Sequence, residues 1–199
     1  MELYTPRYFS DSCIQEEAII WIDVETTGNT PETDKLLEIA ACITDLSGNL
    51  LHMINFESLI HIPDLKSILS ETSSEIVLMH EKSGLWTDLW TKKAFTLSTV
   101  ENNMLQWIEQ IVGKNTVLYF GGNSITLDRN FVRMNLGKVY QRISHRSVDV
   151  TSLSIVFQSN AEVLPYRKEK AHRALPDIKD SVREYRYYLS HMAKESIPG

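Results

Sequence analysis

Cysteine is nearly absent from this 199-residue chain, and so is any long apolar run. The two cysteines, Cys13 and Cys42, show no paired spacing, which excludes a disulfide framework and a cysteine zinc site. A reducing, intracellular setting, the cytoplasm, is expected. No apolar stretch approaches the roughly 20 residues of a membrane span, so no membrane association is expected. Met1–Glu17 lacks a basic start followed by an apolar core, so no signal peptide is expected. Positive charge is in deficit: 20 Lys and Arg against 26 Asp and Glu leave a net charge of −6. A protein that coats long nucleic acid through a basic face is thereby disfavoured. Internal repeats and low-complexity tracts are missing too. What remains is 43% hydrophobic and 23% charged, the balance of a soluble globular protein of one domain.

The chain is organised around Ala18-Ile19-Ile20-Trp21-Ile22-Asp23-Val24-Glu25-Thr26-Thr27-Gly28. A short apolar run reads as a buried strand, here about 18–24. Residues two apart on a strand share a face, so Asp23 and Glu25 project together. Like charges at the end of a core strand repel, and desolvation worsens the repulsion. A divalent cation between them makes the arrangement favourable, and oxygen ligands suit Mg²⁺ or Mn²⁺. The acidic excess of the chain then includes metal ligands. Two exposed acids in a loop are the competing explanation.

Further along, Leu36–Asp45 reads as a second strand, Ser47-Gly48-Asn49 as a hairpin turn, and about 50–60 as a third strand ended by Pro63. Residues 64–92 are helical in composition, interrupted at Ser83-Gly84. Leu97, Val100, Met104, Trp107, Ile108 and Ile111 recur at helical steps over 97–112. Thr116–Phe120 is a fourth strand, followed by a turn and a helix at about 126–136. Ser147–Val150 is a short strand, and a helix at about 151–158 follows it. A loop over 159–170 carries Lys168 and Lys170, and a last helix spans about 175–193. The pattern predicts an α/β fold, a mixed five-stranded sheet with helices on its faces. Residues 1–16 read as a flexible lead-in, 17–193 as the single domain and 194–199 as a flexible tail.

Two further groups carry chemistry. Asp128 stands near the start of the helix after strand four, where the helix dipole alone also explains an acid. In Ala171-His172-Arg173-Ala174-Leu175-Pro176-Asp177, Pro176 suits a first helical turn, which leaves His172 in the loop and Asp177 in the helix. A loop histidine beside basic residues is also commonly solvent-facing. Taken in order, Asp-x-Glu on strand one, Asp128 in a middle helix, and His-x4-Asp before the last helix resemble the DEDDh 3′-to-5′ exonuclease superfamily. Its fold is ribonuclease H-like. Leu37-Glu38-Ile39-Ala40, Ser83-Gly84-Leu85 after His80, Gly122-Asn123-Ser124, and Arg146 with Asp149-Val150 are similar to the oligoribonuclease branch.

The resemblance implies that Asp23, Glu25, Asp128 and Asp177 ligate two divalent cations, Mg²⁺ or Mn²⁺, and that His172 takes a proton from the attacking water. The implied substrate is short single-stranded RNA, with nucleoside 5′-monophosphates as product. Glu25 also lies near the terminal 3′-hydroxyl in that family. Ser124, Arg146 and Thr151 match positions that cap the far phosphate, and Thr26, His80 and His145 match substrate-facing positions. A helix N-cap explains Ser124 equally, and a surface salt bridge explains Arg146. Glu38 reads as structural. The family implies a homodimer.

Three apolar groups of that branch are replaced, by Asn29, Glu75 and His145. They sandwich the bases of a dinucleotide, and a base stacked on an aromatic ring contributes about 1–3 kcal/mol. Dinucleotide preference is therefore expected to weaken. Trp86 and Trp90 are the alternative stacking rings, against the core role usual for tryptophan. Pro176 stands where the family often has an acid. A DNA exonuclease of the proofreading or trimming type, or an inactive nucleic-acid-binding module, are the other readings.

Overall fold

A computed structural model describes residues 16–158, 163–168 and 171–192. Residues 1–15 of the expected lead-in, the expected tail, Cys13 and Lys170 lie outside them. Five strands form one mixed sheet in the order β3-β2-β1-β4-β5. They are β1 (Glu17–Thr26), β2 (Leu36–Thr44), β3 (Phe56–Leu59), β4 (Val117–Gly122) and β5 (Ser147–Asp149). β1 pairs antiparallel with β2 and parallel with β4. β2–β3 is antiparallel and β4–β5 parallel.

Most helices follow where the composition placed them. The 64–92 segment breaks into α1 (Leu65–Glu71), α2 (Ser74–Lys82) and α3 (Leu85–Thr91). Asp64 and Ser73 cap the first two. Gly84, in the left-handed region at φ 77°, separates α2 from α3. Next come α4 (Leu97–Ile111), α5 (Thr126–Asn135), α6 (Gly137–Arg142), α7 (Val150–Gln158) and α8 (Ala174–Met192). Among the described residues, no helix is long and apolar enough to cross a membrane.

The central strand divides its side chains between two cores, as a period of two requires. Ala18, Ile20, Ile22 and Val24 pack with Val100, Met104, Ile108, Phe131 and Val139. Ile19 and Trp21 pack on the opposite face with Ile178, Val182, Tyr185 and Tyr188 of α8. Asp23 and Glu25 continue that second face, so β1 itself aims them toward the side that α8 covers.

Two expectations need correction. The third strand is not continuous from 50 to 60: Leu50 makes one isolated bridge to Thr44, and pairing resumes only at Phe56. Between them, after a bond from the Leu51 N–H to the Ile43 carbonyl (2.9 Å), the chain bonds to itself and to α4. The Ile54 N–H donates to Nδ1 of His52 (3.0 Å), and Nε1 of Trp107 donates to the Ile54 carbonyl (3.1 Å). Local bonds of this kind compete with a ladder. The second is α6, which was not anticipated: Leu136 ends α5 and opens α6, so the polypeptide turns without a loop.

Candidate active site

Past Ile19 and Trp21, the α8-facing side of β1 carries Asp23 and Glu25 in place of apolar residues. Glu25 is buried in the strand and Asp23 is partly buried, so neither is an exposed loop acid. Asp177 comes from the first turn of α8. One carboxylate oxygen each from Asp23, Glu25 and Asp177 lies within 4.8 Å of the other two. Asp128 approaches from the other face. It sits in the first turn of α5, buried, and its Oδ1 accepts the Val24 N–H at 3.1 Å, between the two β1 acids.

The electrostatics are adverse for carboxylates alone. Burial first, then Asp128, Glu25 and Asp177, hold the Asp23 carboxyl well above the usual range, while Lys168 opposes. Burial followed by Asp177, Glu38 and Asp128 pushes Glu25 up to about 8, with Arg173 opposing. Burial raises Asp128 to about 7, although it accepts backbone N–H groups. Oxygen donors that repel one another at this spacing fit a hard divalent cation, whose charge would offset the repulsion.

His172 is half-buried and has a left-handed backbone at φ 52°. The N–H of Ala171 before it donates to Oδ1 of Asp177 (3.0 Å). His172 lines a cavity of about 640 Å³ with Glu75, Leu78, Met79, Lys82 and Ser83. His80 is fully buried: Nε2 contacts the Thr26 carbonyl at 2.9 Å and Nδ1 lies 3.7 Å from Oε2 of Glu25. Burial is the main force lowering the His80 pKa. His80 therefore stands behind Glu25 rather than on an open surface. The Thr26 hydroxyl is used locally, donating to the Gly28 carbonyl at 2.6 Å.

Ser124 and Thr151 meet, with hydroxyl oxygens 3.1 Å apart. Asp149 joins them by accepting both backbone N–H groups on Oδ1 (3.0 and 2.9 Å). Ser124 is not the α5 N-cap; Ile125 is, and the turn reaches it through a left-handed Ser124 at φ 49°. His145 and Arg146 are exposed just before β5. Among the replaced stacking positions, Asn29 is exposed, and Glu75 lines the cavity of His172. Trp86 is core, its Nε1 donating to the Val77 carbonyl (3.0 Å). Trp90 is exposed but faces a different hollow, beside Ile60–Pro63 and Ala94.

The residues not assigned a role beforehand are Lys168 with its partners and Arg173, the cation beside Glu38. Lys168 donates to Oδ1 of Asn123 (2.7 Å) and Oγ of Ser181 (3.0 Å), and Asn123 donates to Oε2 of Glu184 (2.9 Å). Arg173 is seated on Glu38, through Nη2 to Oε1 at 2.8 Å. The signal was present: an acid such as Glu38 inside an apolar strand requires a cation partner.

Fold and site together define a nuclease-like α/β protein with a carboxylate cluster at the end of its central strand. Residues 20–185 match the exonuclease family. The oligoribonuclease of Rhodococcus jostii is 35% identical over 87% of this chain and 86% of its own length. The mitochondrial oligoribonuclease of Saccharomyces cerevisiae is 31% identical over 88% and 68%. Exonuclease I of Methylocaldum szegediense superposes with a TM-score of 0.65 at 15% identity, over 89% of this chain but 41% of that one. A zinc-bound Escherichia coli exonuclease I–ssDNA complex gives 0.64 at 13% over 90% and 42%, and both likenesses are of fold alone. The chain belongs to the exonuclease family, among the oligoribonucleases, and is an exonuclease by that membership.

Proposed function

We propose that residues 17–193 form one catalytic domain that acts as a metal-dependent 3′-to-5′ exoribonuclease. It shortens single-stranded RNA oligonucleotides and releases nucleoside 5′-monophosphates. The observation that carries this reading is the meeting of Asp23, Glu25 and Asp177 within 4.8 Å, with Asp128 bonded to the backbone between the first two. These four acids would hold two divalent cations, Mg²⁺ or Mn²⁺, which supply activation of water and stabilisation of the leaving 3′ oxygen when bound.

The chain's own groups do the rest. His172, on the cavity wall, takes the proton of the attacking water, a role suited to an imidazole. Glu25 also reaches the terminal 3′-hydroxyl. The Ser124–Thr151 hydroxyl pair and Arg146 receive the phosphate at the other end, which favours short substrates. With Asn29, Glu75 and His145 in place of apolar groups, base stacking is weak and dinucleotides are not singled out. His80 supports Glu25 from behind. We further propose a homodimer in the cytoplasm; the yeast relative is named mitochondrial. The DNA-exonuclease reading is not favoured, because the curated relatives are named oligoribonucleases.

The test is a length series of 5′-labelled RNA and DNA, from dinucleotides upward, with Mg²⁺ and Mn²⁺ titrated. Stepwise loss of 3′ nucleotides from RNA, with little preference for two over several nucleotides, is expected. Faster trimming of DNA at every length would overturn the substrate reading, and no monophosphate from any substrate would overturn the activity.

A further inference from the structure

His172 is fixed from both sides. On one side, Ala171 is bonded to Asp177. On the other, Arg173 and Ala174 both bond Glu38. Nε of Arg173 donates to Oε2 (3.1 Å) and Nη2 to Oε1 (2.8 Å), and the Ala174 N–H donates to Oε2 at 3.1 Å. Glu38 is 1% exposed and stands opposite Glu25 across the β1–β2 ladder. The same guanidinium pairs with Oδ2 of Asp88 (2.8 Å) and points Nη1 at the Ser83 carbonyl (3.5 Å). One side chain thus joins β2, α3 and the α2–α3 junction to the residue next to His172. Ser83 also belongs to the wall of the cavity that His172 lines. A non-glycine residue at φ 52° persists only where its surroundings over-determine it, and these bonds are those surroundings.

We propose that Arg173, seated on Glu38, is the positioning residue for His172. It touches no reacting atom; it sets where the imidazole stands. The proposal rests on the reading of His172 as the general base. The fork meets the Glu38 carboxylate through both Nε and Nη2 while Nη2 also reaches Asp88, a planar geometry that the point charge of a lysine does not reproduce.

The test is a double-variant cycle on monophosphate release from short RNA with Mn²⁺, using wild type, Arg173→Ala, His172→Ala and the pair. A misplaced catalytic group loses about 100-fold, so Arg173→Ala is expected to lower kcat by about that factor. KM and the half-activating Mn²⁺ concentration stay within about twofold, and in the His172→Ala background Arg173→Ala changes the residual rate by no more than about twofold. Arg173→Lys recovers part of kcat. Wild-type kcat in Arg173→Ala, an equal fold-loss in both backgrounds, or a loss carried by KM or by Mn²⁺ overturns the proposal. If Arg173→Ala does not fold, judged by its melting, Glu38→Gln enters the same cycle and is read the same way. A wild-type rate in His172→Ala would instead refute the general-base reading, so the two failures are distinct.

Discussion

Asp128 separates two demands that a carboxylate can serve, holding the fold and holding a cation. It is tied to β1 by the bond from the Val24 N–H, while its charge adds to the repulsion at Asp23 and Glu25. Asp128→Ala removes both. Release of monophosphate should fall below detection, while the metal-free protein melts at or above the wild-type temperature. Full activity in that variant would refute the metal-site assignment. The raised carboxyls also set a pH dependence. Glu25 and Asp128 stand at about 8 and about 7, against ordinary values of 4.5 and 3.8. Between those ranges the unfolded chain has released protons that the folded chain still binds, so metal-free stability falls as pH rises through the window and levels above about pH 8. In chelator, Tm should be lower at about pH 8 than at about pH 5, and Mg²⁺ or Mn²⁺ should raise it more at the higher pH. Equal shifts at both would contradict the account. That Asp23 and Glu25 share a face was legible from strand alternation, whereas their burial against exposed loop acids was not. Asp128 and Asp177 were legible only through family resemblance, because their approach depends on which strands pair across long stretches of sequence.

At the scale of elements, β4 must pass close beside β1 for α5 to bring Asp128 into place. Gly121 lies opposite Trp21 in that parallel pair. A Cβ there would meet Cγ2 of Ile19 at 2.5 Å and Cε3 of Trp21 at 2.9 Å. Overpacking of this kind costs about 1–3 kcal/mol, so Gly121→Ala should lower Tm by about 2–12 °C. Because Asp23 follows Trp21 on the same face, activity should fall with it; an unchanged Tm in a thermal melt would show that the strands can part without strain. β1 and β2, as short apolar runs, and α4, by its helical period, could be read from the residues themselves. The third strand could not, since His52 and Ile54 satisfy backbone groups that a ladder would otherwise use. The helix α6 was hidden because Gly137, directly after Leu136, reads as the stop of α5 and not as the first residue of another helix.

For the whole molecule, the fold positions acids from two faces of one sheet, and the arginine–glutamate pair keeps the last helix and its preceding loop seated against that sheet. In the proposed homodimer, exposed Ile155 of α7 is an apolar residue that a second copy of the chain would cover. Light scattering should therefore return twice the mass of one chain, 22.9 kDa each, and a monomer would remove the dimer from the account. The central claim is that four carboxylates, distant in sequence, share cations. Titration with Mn²⁺ followed by electron paramagnetic resonance tests it without substrate. The account predicts two ions bound per chain in the wild type and loss of tight binding in Asp23→Asn and Asp128→Asn. Binding no tighter in the wild type than in those variants would contradict it.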